Sequence, residues 1–318
     1  MTAPAPAPVP RPASAAAAPG GSSSELPAEP SAELSAASSA AGGPRTRTRP
    51  LLPFGGPPTA RLGGCLMALL VLAAVVGRIW TPFDPQAPGV GLPYLPPGGR
   101  YWFGTDQAGS DVFSKTVAAT WTDLWLTLVA VAIAFVLGSL LGAIAGYWGG
   151  WADAVIMRVT EVLQSFPALL LALLLVTTLG SGLLNVIVVV AFVGLPGYLR
   201  LLRAEVKGRR TWEFTEAAVL AGNSGPRVLA RHLVPNGLAP LVSYAAVNAA
   251  WVAIVVSSLG FVGVGIEPGS PEWGSMIAGG KDAPDAYWIS LFPGLGILLL
   301  AAAFYLLGDG LIEREDHR

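Results

Sequence analysis

Charge is scarce in this chain. Only 12% of its residues are Asp, Glu, Lys or Arg, 53% are hydrophobic, and the mean hydropathy is +0.58. Soluble globular domains carry about 25% charged residues, so this composition excludes an ordinary soluble fold and points to a membrane protein. Cysteine is represented by Cys65 alone, which lies inside an apolar run and excludes an internal disulfide. His232 and His317, the only histidines, stand far apart in sequence, and no metal site is expected. Asp, Glu, Lys, Arg and His are missing altogether from 124–147, 167–179, 183–199, 238–266 and 286–308, where Asn185, Asn248 and a few hydroxyls supply the polar atoms. Proton relays, ion sites and voltage sensors depend on charged groups within the membrane, so their absence tells against an ion-coupled secondary transporter, a pump or a voltage-gated channel. No GxxxxGK[ST] stretch is present, and the glycines near Gly263, Gly265, Gly269 and Gly274 lack its lysine. With no Ser/His/Asp set, no HExxH and no close carboxylate pair in the spans, the chain is not expected to be an enzyme or to hold a cofactor. Any driving energy has to come from elsewhere.

What is present is a series of apolar runs. They lie near 63–80, 124–147, 167–179, 183–199, 238–256 and 289–307. About 20 helical residues at 1.5 Å each cross a hydrocarbon core of roughly 30 Å, so the chain reads as all-α, with six transmembrane helices. The third run is short, and the amphipathic stretch 151–164 is expected to extend it from the interface. Gly180, Ser181 and Gly182 mark a tight turn between the third and fourth spans. Residues 1–60, rich in Pro, Ala and Ser and with Phe54 as their single aromatic, are expected to be a disordered tail. The first apolar run starts too far into the chain for a signal peptide and reads as a retained anchor.

Of the 19 Lys and Arg residues, only Arg78, Arg100, Lys115 and Lys281 fall on one side of this layout. By the positive-inside rule the other side, with both termini, is cytoplasmic. Gly138, Gly142, Gly146 and Gly150 recur at every fourth position of the second span. Such a ladder lets another helix backbone approach closely in lipid.

The largest loop on the basic side is 203–236. Trp212–Ala221 is rich in helix formers, and Gly222 can take the left-handed conformation that ends a helix. Gly225 and Pro226 then suit the start of a second short helix running to about His232, with Pro235 expected to stop it. Arg227 and Arg231, four apart, would share one face. A helix, a glycine corner and a second helix make a compact knob suited to a groove on another protein.

Glu216, Ala217, Ala218, Gly222 and Pro235, spaced this way in this loop, resemble the cytoplasmic loop of the inner-membrane permease subunits of ABC importers. His232 and Val234 stand where that pattern usually has Ile and Leu. Further stretches are similar to the C-type subunits of the dipeptide and oligopeptide branch. They are Phe103–Asp111 (with Ser110 for the usual Arg, and Trp121 shortly after where an Arg is frequent), Ala145–Asp153 with Met157 and Arg158, Leu259–Gly265 through Pro271–Gly274, and Leu306–Leu311. The resemblance covers about 60–312. It implies a type I importer permease fold, with 61–118 supplying the first helix and an extracytoplasmic loop and 119–312 the permease core. It also implies a bacterial inner-membrane location, a second permease subunit, two ATPase subunits that bind ATP and Mg, and an extracytoplasmic binding protein. Membrane lipid is the surrounding medium, and no nucleic acid is involved. Thr215–Ala221 would be the coupling helix, Glu216 a charged contact with the ATPase groove, Arg227 part of the same surface and Gly222 its corner. The implied cargo is a di- or oligopeptide; nickel or another small solute is the alternative on the same architecture.

Overall fold

A computed structural model describes residues 58–265 and 270–316. Among these the architecture is helical throughout, with one isolated bridge between Thr105 and Asp111. Helix α1 (Pro58–Ile79) is followed by a long loop, then α2 (Val112–Trp148), α3 (Gly150–Gln164), α4 (Ala168–Leu179) and α5 (Leu183–Arg209). The short α6 (Glu213–Leu220) and α7 (Gly225–Val228) lead through a π-helical turn, Leu229–Leu233, into α8 (Val234–Phe261). Helix α9 (Trp273–Gly280) and α10 (Trp288–Asp316) complete the chain. The bundle therefore has two ends: a loop end, with 80–111 and α9, and a knob end, with α6 and α7. The expected tail at 1–60 falls mostly outside the described residues, and its last three positions, 58–60, are already helical.

Among the described residues five helices are long and apolar enough to cross a membrane: Pro58–Ile79, Val112–Trp148, Leu183–Arg209, Gly225–Phe261 and Trp288–Glu313. The third expected span is different. Helices α3 and α4 do not run on as one rod but meet at 91°, giving a sixth crossing only as a bent pair. The break has a local cause. Pro167 lacks an N–H and pushes Phe166 out of helical backbone, while the Ser165 hydroxyl donates to the Val162 carbonyl at 2.7 Å and closes α3.

Helices α2 and α5 approach most closely through glycine. A Cβ at Gly138 would lie 2.7 Å from Tyr198 Cβ, and one at Gly146 would lie 2.8 Å from the Arg203 carbonyl; at Gly142 it would collide with the Leu199 carbonyl. Gly150 does not belong to this seam. Helix α2 ends at Gly149, and Gly150 has φ +55° with nothing near its Cβ position, so it serves the corner into α3. Around the seam a core of small and branched side chains forms, including Leu126, Ala130, Ala134, Val190, Ala253, Leu259 and Ala303.

The loop 80–111 is tied down by its own side chains. The Thr105 hydroxyl donates to the Leu92 carbonyl at 2.6 Å and accepts the Leu95 N–H at 2.8 Å. Trp288 on α10 donates its indole N–H to the Thr105 carbonyl at 3.1 Å, and Phe103 stacks on Phe292 with ring centroids 3.7 Å apart. Asp111 caps α2 by accepting the Ser114 N–H at 2.8 Å. The motif Phe103–Asp111 is thus a folded plug at the loop end.

Candidate functional site

At the knob end, α6 is seated on one face and bare on the other. Thr215 and Ala218 are buried; the Thr215 hydroxyl donates to the Arg209 carbonyl at 2.9 Å, and Ala218 joins a cluster with Ala143, Leu202, Val206, Val228, Leu229 and Leu233. On the other face Glu216, Ala217 and Val219 are exposed, and Leu220 is 88% exposed. Gly222 has φ +82°, the left-handed corner expected of it. Asn223 finishes the turn, its backbone N–H and side-chain amide both donating to the Ala218 carbonyl, at 3.2 and 3.0 Å. Beyond the corner, Arg227 and Arg231 are exposed.

Pro235 does not stop the second helix. The chain passes from α7 through the π turn into α8 as one continuous rod, with Pro235 in the first turn of α8. Pro235 has no N–H to give, and it follows directly on the π turn, where the helical hydrogen-bond pattern already changes, while Val234 ahead of it keeps helical backbone at φ −60°, ψ −51°. The knob is therefore rigidly joined to a membrane-spanning helix.

Its base is fixed by charge as well. Arg203 on α5 grips the Asp153 carboxylate of α3 with two hydrogen bonds, at 2.5 and 2.6 Å. Arg209 pairs with Glu205 at 2.8 Å and donates to the Asn236 carbonyl at the start of α8. Arg210 lies over the Tyr147 ring, 5.6 Å from its centroid. Tyr147 also fills the space that a side chain at Gly225 would need.

A cavity of about 610 Å3 opens where α3 and α4 bend, against α5 and α8; Gln164, Gly194, Tyr244, Asn248 and Trp251 are among its lining. The buried Tyr198 hydroxyl donates to Asn248 Oδ1 at 3.0 Å and so orients that amide. Broken backbone at membrane depth is tolerated where it is buried in protein or lines a wet cavity. The break at 165–167 and the amides of Gln164 and Asn248 therefore belong on a polar passage or a protein interface, not on lipid.

Comparison with known proteins decides the family. Residues 138–318 match the family described as "Binding-protein-dependent transport system inner membrane component". A putative peptide transport system permease protein of Brucella suis is 37% identical over 259 residues, covering 81% of this chain and 87% of that one. This chain belongs to that family. A probable D,D-dipeptide transport system permease protein of Escherichia coli is 36% identical over 262 residues, covering 82% of this chain and 88% of its own. A di/tripeptide transport system permease protein of Pseudomonas aeruginosa is 36% identical over 263 residues, covering 80% and 87%. Among solved structures, an inward-facing form of the MetNI methionine ABC transporter aligns with TM-score 0.51 at 18% identity, covering 63% of this chain and 95% of that one; it supports the fold. The chain is a membrane permease component of an ABC importer.

In this permease component the sequence-predicted loop residues divide by surroundings. Glu216, Ala217, Gly222, Arg227 and Pro235 are exposed at the knob end, whereas Ala218 is an anchor beneath it. Leu220, the most exposed large hydrophobic side chain of the knob, went unnoticed because a lone leucine at a helix end reads as ordinary helix former. Also missed was a carboxyl pair at the loop end, Asp123 and Glu272, at 2% and 0% exposure. Asp123 stands one residue before an apolar run and Glu272 in the segment between two, and 149 positions of sequence hide the contact. The binding of Trp273 N–H by Asp123 Oδ2, at 3.1 Å, is a link that only the fold reveals.

Proposed function

We propose that this chain forms half of a translocation passage for di- or oligopeptides, paired with a second permease subunit above two separate ATPase subunits. An extracytoplasmic binding protein delivers cargo to the loop end. The knob end is cytoplasmic, as are both termini, in keeping with the distribution of Lys and Arg. ATP and Mg are bound by the partner subunits, and this chain hydrolyses nothing itself. The observation that carries the reading is the half-seated helix α6: its Thr215/Ala218 face is locked to the bundle while Glu216, Val219 and Leu220 are left bare. Interface anchors are apolar side chains that fill a partner's pocket, ringed by polar contacts. Leu220 suits the anchor and Glu216 a rim contact.

Because α7, the π turn and α8 are one rod, a pull on the knob by closing ATPases acts directly on a helix that lines the cavity at Asn248. This is the physical content of the coupling. The peptide reading is favoured over nickel by that cavity. Its polar groups are neutral amides and a phenol, which suit peptide N–H and C=O groups. Among the described residues no three His, Cys, Asp or Glu side chains converge on a metal-binding arrangement.

The test is uptake by the complete importer in proteoliposomes. Replacing Gly222 with Val is expected to abolish ATP-driven uptake of dipeptide while the chain still inserts and assembles, whereas Gly222→Asn retains uptake, since Asn tolerates the left-handed corner. Normal uptake by Gly222→Val would overturn the coupling role.

A further inference from the structure

Two carboxyl groups lie buried against each other at the loop end, and among the described residues neither is paired with a cation. Glu272 caps α9: its Oε1 accepts the Gly274 N–H at 2.6 Å and its Oε2 the Ser275 N–H at 2.7 Å. Asp123 on α2 accepts the Trp273 N–H on Oδ2, and its carboxyl is within hydrogen-bond reach of Glu272. Asp123 Oδ1, fully buried, receives no N–H or O–H from any described residue. Helix α8 closes the site with Gly260, where a Cβ would strike the Glu272 carboxyl, and α10 brings Gly296 within 2.6 Å (as a Cβ) of the Trp273 ring. The Trp273 indole N–H donates to the Thr116 carbonyl at 3.0 Å.

Among the described residues no basic side chain pairs with either carboxyl; Arg78 and Asp84 come near, lining a cavity beside Thr122 and Pro271, but neither bonds to Asp123 or Glu272. Helices α8 and α10 have no Asp, Glu, Lys, Arg or His along 238–266 and 286–308. On α2, Lys115 is two turns away and paired with Asp106 at 2.6 Å. On α9, Lys281 lies beyond the opposite end of the helix. Two ionised carboxylates in a dry contact repel strongly, and neither can be offset here. Two neutral acids are equally disfavoured, because three backbone N–H groups at a helix N-terminus select one negative charge. One proton for two carboxyls satisfies every atom. Both Glu272 oxygens already accept, so the proton belongs on Asp123 Oδ1, the atom otherwise orphaned, and is donated to Glu272.

We propose that Asp123 and Glu272 share one proton, and that this proton fastens α9 to α2, positioning the segment 270–287 at the mouth of the bundle. Loss of the proton at alkaline pH places two like charges in contact and releases the N-terminus of α9 from α2. The pair is a positioning device for the loop-end mouth, distinct from the knob.

Infrared spectroscopy of the complete importer in lipid nanodiscs, titrated with pH, tests this directly. A carbonyl band from a protonated, dry carboxyl is expected at neutral pH, disappearing at alkaline pH together with a fall in thermal stability. Asp123→Asn, which keeps a donor to Glu272, is expected to remove both the band and the alkaline fall while holding uptake within about twofold at neutral pH; Asp123→Ala, which orphans Glu272, loses about tenfold. If Asp123→Asn fails to fold, Glu272→Gln, which leaves Asp123 with no carboxylate to share a proton with, is expected to alter the same band. A band untouched by either variant, or an alkaline limb that persists in Asp123→Asn, overturns the proposal. The infrared readout is independent of cargo, so a failure of the peptide reading leaves it intact.

Discussion

At the residue scale the knob turns on neighbours of opposite fate. Ala217 is exposed and Ala218 is buried among Leu202, Val206 and Leu233, yet in the sequence they are adjacent alanines. Their difference is set by α5 and α8, which arrive from elsewhere in the chain. Gly222 was legible because a left-handed helix terminus is a local demand. Leu220 was not, because exposure depends on what fails to pack over it. Enlarging Ala218 to Leu is expected to lower stability by about 1–3 kcal/mol through overpacking, seen as a lower unfolding midpoint of the purified chain. Leu220→Asp should leave that midpoint within about 0.5 kcal/mol of the original and abolish uptake. Burial pushes the Glu272 carboxyl above the usual glutamate range. The pair then holds its shared proton more tightly than the unfolded chain's carboxyls do, so its stabilising contribution is full below the ordinary glutamate range and is lost as pH rises through the folded value. A thermal melt across pH that shows stability rising through that window would contradict it.

At the element scale the glycine ladder and the helix breaks tell different stories. Gly138, Gly142 and Gly146 sit at the α2–α5 contact because small residues four apart form one groove along a helix. Gly150 continues the spacing in sequence but not in space, since the preceding Gly149 has already ended the helix. Proline was the harder sign to interpret. Pro167 accompanies a 91° bend, while Pro235 opens a helix that runs on without interruption. The residue type is the same; what differs is the backbone around it, for Pro167 turns to ψ 127° and leaves the helix, whereas Val234 ahead of Pro235 keeps helical φ −60°, ψ −51°. Gly142→Leu is expected to separate α2 from α5 and destabilise the chain by about 3 kcal/mol, the upper end of the usual overpacking cost, seen as a lower unfolding midpoint, whereas Gly64→Leu, whose Cβ position is open, should leave stability unchanged. Equal effects of the two would remove the ladder from the account.

At the scale of the whole molecule, five of the six expected spans and the family were legible, because apolar length and loop spacing are properties of the sequence. The cavity at Asn248 was not, because it needs the bend between α3 and α4 to open it. A single machine emerges from these parts: a glycine-sealed bundle, a plug of folded loop at one end, and a rod whose bare tip projects at the other. The central claim is that partner ATPases grip that tip from the cytoplasm. It is tested most directly by placing a cysteine at the tip, Leu220→Cys with Cys65→Ser, and labelling it with a membrane-impermeant maleimide. The account predicts no labelling in intact cells, ready labelling in inverted vesicles, and protection there when the ATPase subunits are bound. Labelling from the outside of intact cells, or labelling that ignores the ATPases, would contradict it.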